Sequence, residues 1–245
     1  MAAEPDSRPH GLSDRIPAGA SAPAREIHDR IVESIQSLSR LKAANALDSL
    51  FKPQFTELLT LFDEYQRQVL SDIERNDTCI AGCSYCCYHW VEDVYSFEAE
   101  IIADYVRSRF PDRVAGIIHR FQEDELALSY LDERLCESGL SDGSDNYIER
   151  LLDAFYRLQR PCALLEPDGT CSVYPVRPLT CRTYLSFSDP KLCDPANSQN
   201  GGGDTYILDM ENIAADLLDR LHLRFDRFDG DVGLRSLVAR YLREP

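Results

Sequence analysis

The chain has 245 residues, of which 44% are apolar and 28% charged, an ordinary globular balance. Its 42 acidic and 26 basic residues give a formal net charge of −16, which disfavours sequence-blind binding to nucleic acid or to an anionic membrane. No run approaches the ~18 consecutive apolar residues of a membrane span.

Residues 1–23 hold Pro5, Pro9, Pro17 and Pro23 among Ala, Gly and Ser, and read as a disordered tail. Residues 24–245 then read as one helical domain. From Arg25 the apolar positions Ile27, Ile31, Ile35 and Leu38, then Leu47, Leu50 and Phe51, follow a helical period, with Pro53 expected to interrupt it. A second stretch through Phe55, Leu58, Leu59, Phe62, Tyr65 and Leu70 pairs with the first as a helical hairpin. Ser96–Arg109 follows, with Ser96 as N-cap. Pro111 opens another helix through Ile117 and Phe121, whose continuation past Asp124 is polar. Ser141–Asp145 is a loop, and Tyr147–Leu158 is helical with Ile148, Leu151, Leu152 and Phe155 as its stripe. Residues 161–205 hold four cysteines, six prolines and Gly201-Gly202-Gly203, and offer room for one short hairpin around Glu166-Pro167-Asp168-Gly169. Helices near Asp209–Leu223 and Asp231–Arg243 close the chain. The expected fold is mainly α: an irregular helical bundle with a cysteine-rich, loop-dominated metal-binding insert.

Nine cysteines stand out, four of them between positions 79 and 87. The opening Met-Ala-Ala-Glu-Pro-Asp has neither the basic start nor the apolar stretch of a secretory signal, so the expectation is a cytoplasmic protein with reduced thiols. In that compartment clustered cysteines hold metal or do redox chemistry more often than they form disulfides. The first block is Cys79, Cys83, Cys86 and Cys87. On a helix these would point to about 0°, 40°, −20° and 80°, at ~100° per residue. Either a helix or a compact loop with Gly82 at its turn aims all four at one place. Coordination from opposite sides needs a second segment, and Cys162, Cys171, Cys181 and Cys193 supply it. Cys136 stands alone after Leu135 and reads as a small buried hydrophobe.

Cys83-x2-Cys86-Cys87, Ser96-Phe97-Glu98-Ala99-Glu100, Pro161-Cys162-Ala163-Leu164-Leu165, Gly169-Thr170-Cys171-Ser172-Val173-Tyr174 and Arg177-Pro178-Leu179-Thr180-Cys181-Arg182-Thr183-Tyr184 occur in that order. This resembles the zinc- or iron-chelating family named for its Cys-x-x-Cys-x-x-Cys-Cys signature, also called YkgJ-like cysteine cluster proteins. The likeness spans 79–193. It departs from the signature in the first interval, which has three intervening residues, so Cys79 matches less closely than Cys83, Cys86 and Cys87. The resemblance implies a cysteine metal site. A more distant likeness to flagellin lysine methylases implies an iron–sulfur cluster.

Eight thiolates exceed the four of one zinc site or one four-iron cluster, so two zinc ions, one cluster with spare thiols, or a larger assembly all remain open. The side chains of adjacent Cys86 and Cys87 diverge, which suits a multinuclear centre or two sites. The expectation leans to an iron–sulfur cluster such as 4Fe-4S, with zinc as the alternative. Metal ions are the expected partners, with no nucleic acid and no membrane. The functions open to such a protein are cluster-assisted redox or group-transfer chemistry, zinc-stabilised structure, or metal handling; the sequence names no reaction. His89 reads as a half-exposed loop residue or, with a suitable partner, a ligand or proton carrier. Arg177 and Arg182 flank Cys181 and are candidates to offset thiolate charge. Tyr174 and Tyr184 read as packing residues. Glu98 and Glu100 suit a helix N-terminus, with a general-base role for Glu98 unsupported by any substrate. Gly201-Gly202-Gly203 follows polar residues, which argues against a nucleotide cradle.

Overall fold

Ser21 turns the chain into its first helix, its hydroxyl accepting the Ala24 amide at 3.2 Å. The computed structural model describes residues 21–42, 47, 49–74, 76–138, 146–196, 205–207, 211–228 and 233–244. Helix α1 is Ala22–Leu38, so the last two residues expected in the tail, Ala22 and Pro23, are helical. Pro23 sits in its first turn, where a missing N–H costs nothing. The rest of the expected tail, the 141–145 loop and the 201–203 glycines lie outside the described residues.

Helix α1 packs its buried Ile31, Ile35 and Leu38 against α2 (Phe51–Asp72), the expected hairpin. Pro53 lies in the first turn of α2 and starts that helix instead of interrupting α1, which has already ended at Leu38. Helix α3 (Ser96–Arg109) has the expected bounds, but Tyr95 is its N-cap. Ser96 instead bonds Tyr241 Oη at 2.5 Å and accepts the Arg227 amide. After a 3₁₀ turn at Pro111–Arg113, α4 (Val114–Glu137) continues well past Asp124 with Leu126 and Tyr130 in solvent. Helix α5 (Asn146–Arg157) buries Leu151 and Phe155 but leaves Ile148 exposed, so its stripe is shorter than expected.

The cysteine-rich insert contains a five-residue helix, α6 (Leu179–Thr183). Strand β1 (Tyr184–Ser186) pairs antiparallel with β2 (Thr205–Ile207), Leu185 opposite Tyr206. The hairpin expected around Glu166–Gly169 reduces to a tight turn closed by one antiparallel bridge, Leu165 to Cys171. Helices α7 (Glu211–Phe225) and α8 (Gly233–Arg243) pack on α3, and α8 also on α4. Phe51, Phe55, Phe97 and Phe225 pack at the centre with ring centroids 4.6 to 5.9 Å apart; each buried phenylalanine contributes ~1.5–3 kcal/mol. No helix among the described residues is long and apolar enough to cross a membrane.

One polar group inside this core orients the cysteine region. Arg235 on α8 is 1% exposed and ion-pairs with buried Asp124 of α4, which also accepts Arg160 Nε at 2.6 Å. Arg235 lies over the Trp90 and Phe155 rings and donates to the carbonyls of Cys87, His89 and Arg160 at 3.2–3.4 Å. Removing Arg235 takes one of two guanidinium partners from the buried Asp124 carboxylate and a donor from three loop carbonyls. Arg235→Met is therefore expected to cost ~3–5 kcal/mol in urea denaturation. The double variant Arg235→Met/Asp124→Leu is expected to recover part of that loss.

Candidate metal centre

The first cysteine block is not helical throughout. Cys79 and Cys83 lie on a loop whose turn is closed by the Cys83 amide on the Ile80 carbonyl at 2.9 Å, with Gly82 at φ +89°. Cys86 and Cys87 sit in a 3₁₀ turn, Tyr85–Tyr88. The loop is tied to the strand after α6, since the Thr78 amide bonds the Ser186 carbonyl at 2.8 Å and its hydroxyl the Ser188 carbonyl at 2.6 Å. In the second block, Cys162 precedes the tight turn and Cys171 closes it. Cys181 is on α6, and Cys193 ends a 3₁₀ turn, Pro190–Cys193, capped by Asp189 on the Lys191 amide.

The two blocks meet through the backbone: the Cys162 amide donates to the Cys87 carbonyl at 2.9 Å. The tips of both turns also touch. A Cβ at Gly169, which has φ +82°, would stand 2.5 Å from the Gly82 carbonyl oxygen, so only glycine fits. This contact brings all eight cysteines of the two blocks around two adjoining cavities. The smaller, about 230 Å³, is lined by Cys86, Cys87, Cys162, Cys171 and Cys181. The larger, about 450 Å³, is lined by Cys79, Cys83, Cys86, Cys87, Cys171, Cys181 and Cys193. Among the described residues no three His, Cys, Asp or Glu side chains are drawn into a ready ion-holding group; the thiols surround open space.

All nine cysteines are unpaired thiols. Burial pushes Cys79 and Cys171 up to about 11, and raises Cys83, Cys162 and Cys181. Cys86 moves down to about 7 because Cys87 hydrogen-bonds to it, and the same bond raises Cys87. Arg177 lines both cavities and favours the thiolates of Cys86, Cys171 and Cys181. Its Nε is buried without a hydrogen-bond partner and its guanidinium lies 4.3 Å from the Tyr174 ring. Such a donor beside a sulfur-lined cavity, with an all-thiol donor set, fits a thiolate-bound metal or cluster.

The flanking residues divide. Arg182 is a structural clamp, ion-paired with Asp63 at 2.5 Å and donating to the carbonyls of Tyr174, Pro175 and Arg177. Tyr174 is exposed and does not pack the core, whereas Tyr184 lines both cavities. His89 is more packed than expected, stacked on Tyr156 at 3.9 Å on the edge of the smaller cavity, and burial holds it down to about 4. Cys136 is exposed, not buried, and lies 3.2 Å from the Tyr147 hydroxyl, apart from the cavity linings. Glu98 accepts the Leu179 amide at 2.9 Å and the Tyr95 amide at 3.1 Å, so it joins the start of α3 to the start of the cysteine-bearing α6. Glu100 accepts the Leu47 amide at 3.3 Å and faces Lys52 and Arg227. Sequence reasoning missed Arg235, Asp124 and Ser186. The first two carried a signal: Asp124 continues the Ile117–Phe121 stripe, and Arg235 sits among Leu234, Leu237 and Val238.

With this geometry in hand, comparison with known families is decisive for the cysteine region. Residues 78–197 match the model of the CxxCxxCC family, described as a putative zinc- or iron-chelating domain. This stretch is similar to that family. The match supports metal binding by the CxxCxxCC domain and covers both cysteine blocks. No curated protein and no solved structure matches the chain significantly. The likeness to flagellin lysine methylases is not shown.

Two expectations follow for the scaffold. Gly169→Ala forces the two turns apart, and is expected to lower metal content per chain by elemental analysis. Gly116→Ala, on an open face of α4 with no atom within 4 Å of the new methyl, is expected to leave it unchanged. Burial raises Glu98 from an ordinary 4.5 to about 7. The folded state thus binds the extra proton between those values, so stability from this group is present in acid and is lost as pH rises from about 4.5 through about 7. Glu98→Gln is expected to flatten that part of the stability–pH profile. Glu98→Ala, which strands two amides, is expected to cost ~1–3 kcal/mol per amide in denaturant melts.

Proposed function

We propose that the CxxCxxCC domain holds an iron–sulfur centre through Cys79, Cys83, Cys86, Cys87, Cys162, Cys171, Cys181 and Cys193, and that the chain works in the cytoplasm, where thiols stay reduced. The observation that carries this reading is the meeting of eight thiols from two blocks around adjoining cavities of about 230 and 450 Å³. One zinc ion takes four sulfurs about 3.8 Å apart, as Zn–S bonds of ~2.3 Å require, and fills little of that space. Iron–sulfur centres use more room and accept an all-thiolate shell.

When bound, such a centre supplies electron transfer or Lewis-acid activation. The chain's own residues would set its surroundings. Arg177 offsets thiolate charge from between the cavities. Trp90, Val91, Leu164 and Val173 give the smaller cavity an apolar wall that limits water. That wall beside the thiols supports redox or group-transfer chemistry on a small substrate.

A second reading, structural zinc, is supported by the sparse regular structure of 158–196, whose longest element is the five-residue α6. Metal binding there would contribute directly to folding.

Anaerobic purification followed by iron, sulfide and zinc determination per chain tests these readings. Brown protein with stoichiometric sulfide is expected. Colourless protein with tightly held zinc would favour the structural reading, and zinc lost readily to a weak chelator would favour metal handling. Near-zero metal from metal-replete cells would sink all three. Cys86→Ser or Cys181→Ser is expected to reduce metal content, and Cys136→Ser to leave it unchanged.

A further inference from the structure

Ser186 ends strand β1 and is 4% exposed, on the lining of the larger cavity. A buried hydroxyl is costly unless it finds partners, and two of the partners of Ser186 are sulfurs. Its amide donates to Cys79 Sγ at 3.4 Å, and its hydroxyl oxygen lies 3.4 Å from Cys193 Sγ. The same Oγ accepts the Ser188 amide at 3.4 Å, which leaves the hydroxyl proton free to turn toward sulfur. The Ser186 carbonyl accepts both the amide and the hydroxyl of Thr78, at 2.8 and 3.1 Å. Ser186 therefore ties the start of the first cysteine block to the end of the second.

Cys79 is the cysteine whose spacing departs from the Cys-x-x-Cys signature. The extra residue does not carry its sulfur out of the site, because Thr78 beside it is pinned to Ser186 and the Cys79 amide is held by the Asp77 carboxylate at 2.9 Å. A thiol is a weak acceptor, whereas a thiolate takes N–H and O–H bonds at charge-assisted strength. Both donors of Ser186 are thus strongest when Cys79 and Cys193 are anionic, the form in which cysteine binds metal.

Resting on the metal-binding reading above, we propose that Ser186 is a positioning residue of the metal centre. It brings Cys79 and Cys193 to the same centre and stabilises both as ligand thiolates, the first through its amide and the second through its hydroxyl. In the free thiol form the Cys193 S–H points to the Ser186 oxygen. With that proton gone the direction reverses, and the hydroxyl donates to sulfur. The hydroxyl at position 186, and not the volume of the side chain, then governs the hold on metal.

The test uses the full chain purified anaerobically with its native metal. Ser186→Ala keeps the amide and removes the hydroxyl, with far-UV circular dichroism reporting whether it folds. It is expected to release metal to a chromophoric chelator about fivefold faster, the effect of one ordinary hydrogen bond. Iodoacetamide is expected to alkylate Cys193 faster in this variant, as mapped by mass spectrometry. Ser186→Thr restores the hydroxyl and is expected to return both rates to those of the wild type. For an iron–sulfur centre, Ser186→Ala is also expected to lower the reduction potential, since a donor to sulfur stabilises the more negative, reduced state. In the metal-loaded wild type, Cys79 is expected to resist alkylation while Cys136, also exposed, is modified at once. Stripping the metal is expected to open Cys79. That comparison needs no variant, so it decides even where Ser186→Ala does not fold. Unchanged rates in folded Ser186→Ala, equal changes in the Ala and Thr variants, or Cys79 labelled as fast as Cys136 in the loaded chain would overturn the assignment and leave metal binding intact. Wild-type chain without metal would overturn both.

Discussion

The cysteine region depends on one carbonyl group. The Cys87 oxygen accepts the Cys162 amide at 2.9 Å and the Arg235 guanidinium at 3.4 Å, which uses both of its lone pairs. The first bond sets one cysteine block against the other. The second ties that junction to α8, and through Asp124 to α4. A buried carbonyl with neither partner would cost more than either bond contributes. The arrangement is therefore selective: any packing of the helices that misplaces Arg235 takes one donor from each of three carbonyls and a carboxylate.

Buried ion pairs are poor sources of net stability, because desolvation offsets much of their attraction. Here their value lies in register. Arg235 and Arg182 are both almost fully buried, and both spend their donors on loop carbonyls as well as on a carboxylate. Loops of this length lack ladders of their own to satisfy their backbone. The two guanidinium groups take that role, Arg235 at the smaller cavity and Arg182 at the larger, and Glu98 does the complementary work by accepting the Leu179 amide. Glu98 thus holds α6, and with it Cys181, against the start of α3.

The helices were largely legible in the sequence because their apolar stripes repeat at a single period, as in Ile31, Ile35 and Leu38 of α1 or Ile117 and Phe121 of α4. Pro53 misled because proline's effect depends on its place in a helix, and the start of α2 is fixed by packing. Ile148 misled because periodicity does not say where a neighbouring element ends. The gathering of the eight thiols was legible from residue type and density alone. How the two blocks meet was not, since it depends on the Cys87–Cys162 backbone bond and on the approach of Gly169 to Gly82, neither of which has a sequence pattern. Arg177 and Arg182 look alike beside Cys181; what separates them is Asp63, more than a hundred residues upstream.

Between Cys87 and Cys162 lie 74 residues, among them the helices α3, α4 and α5. A metal gripped from both sides of that span acts as a cross-link on a long loop. By chain-entropy reckoning such a closure takes roughly 4 kcal/mol of freedom from the denatured ensemble. The inorganic group would then be less a decoration of the finished fold than a tether, felt most strongly by the chain when it is unfolded.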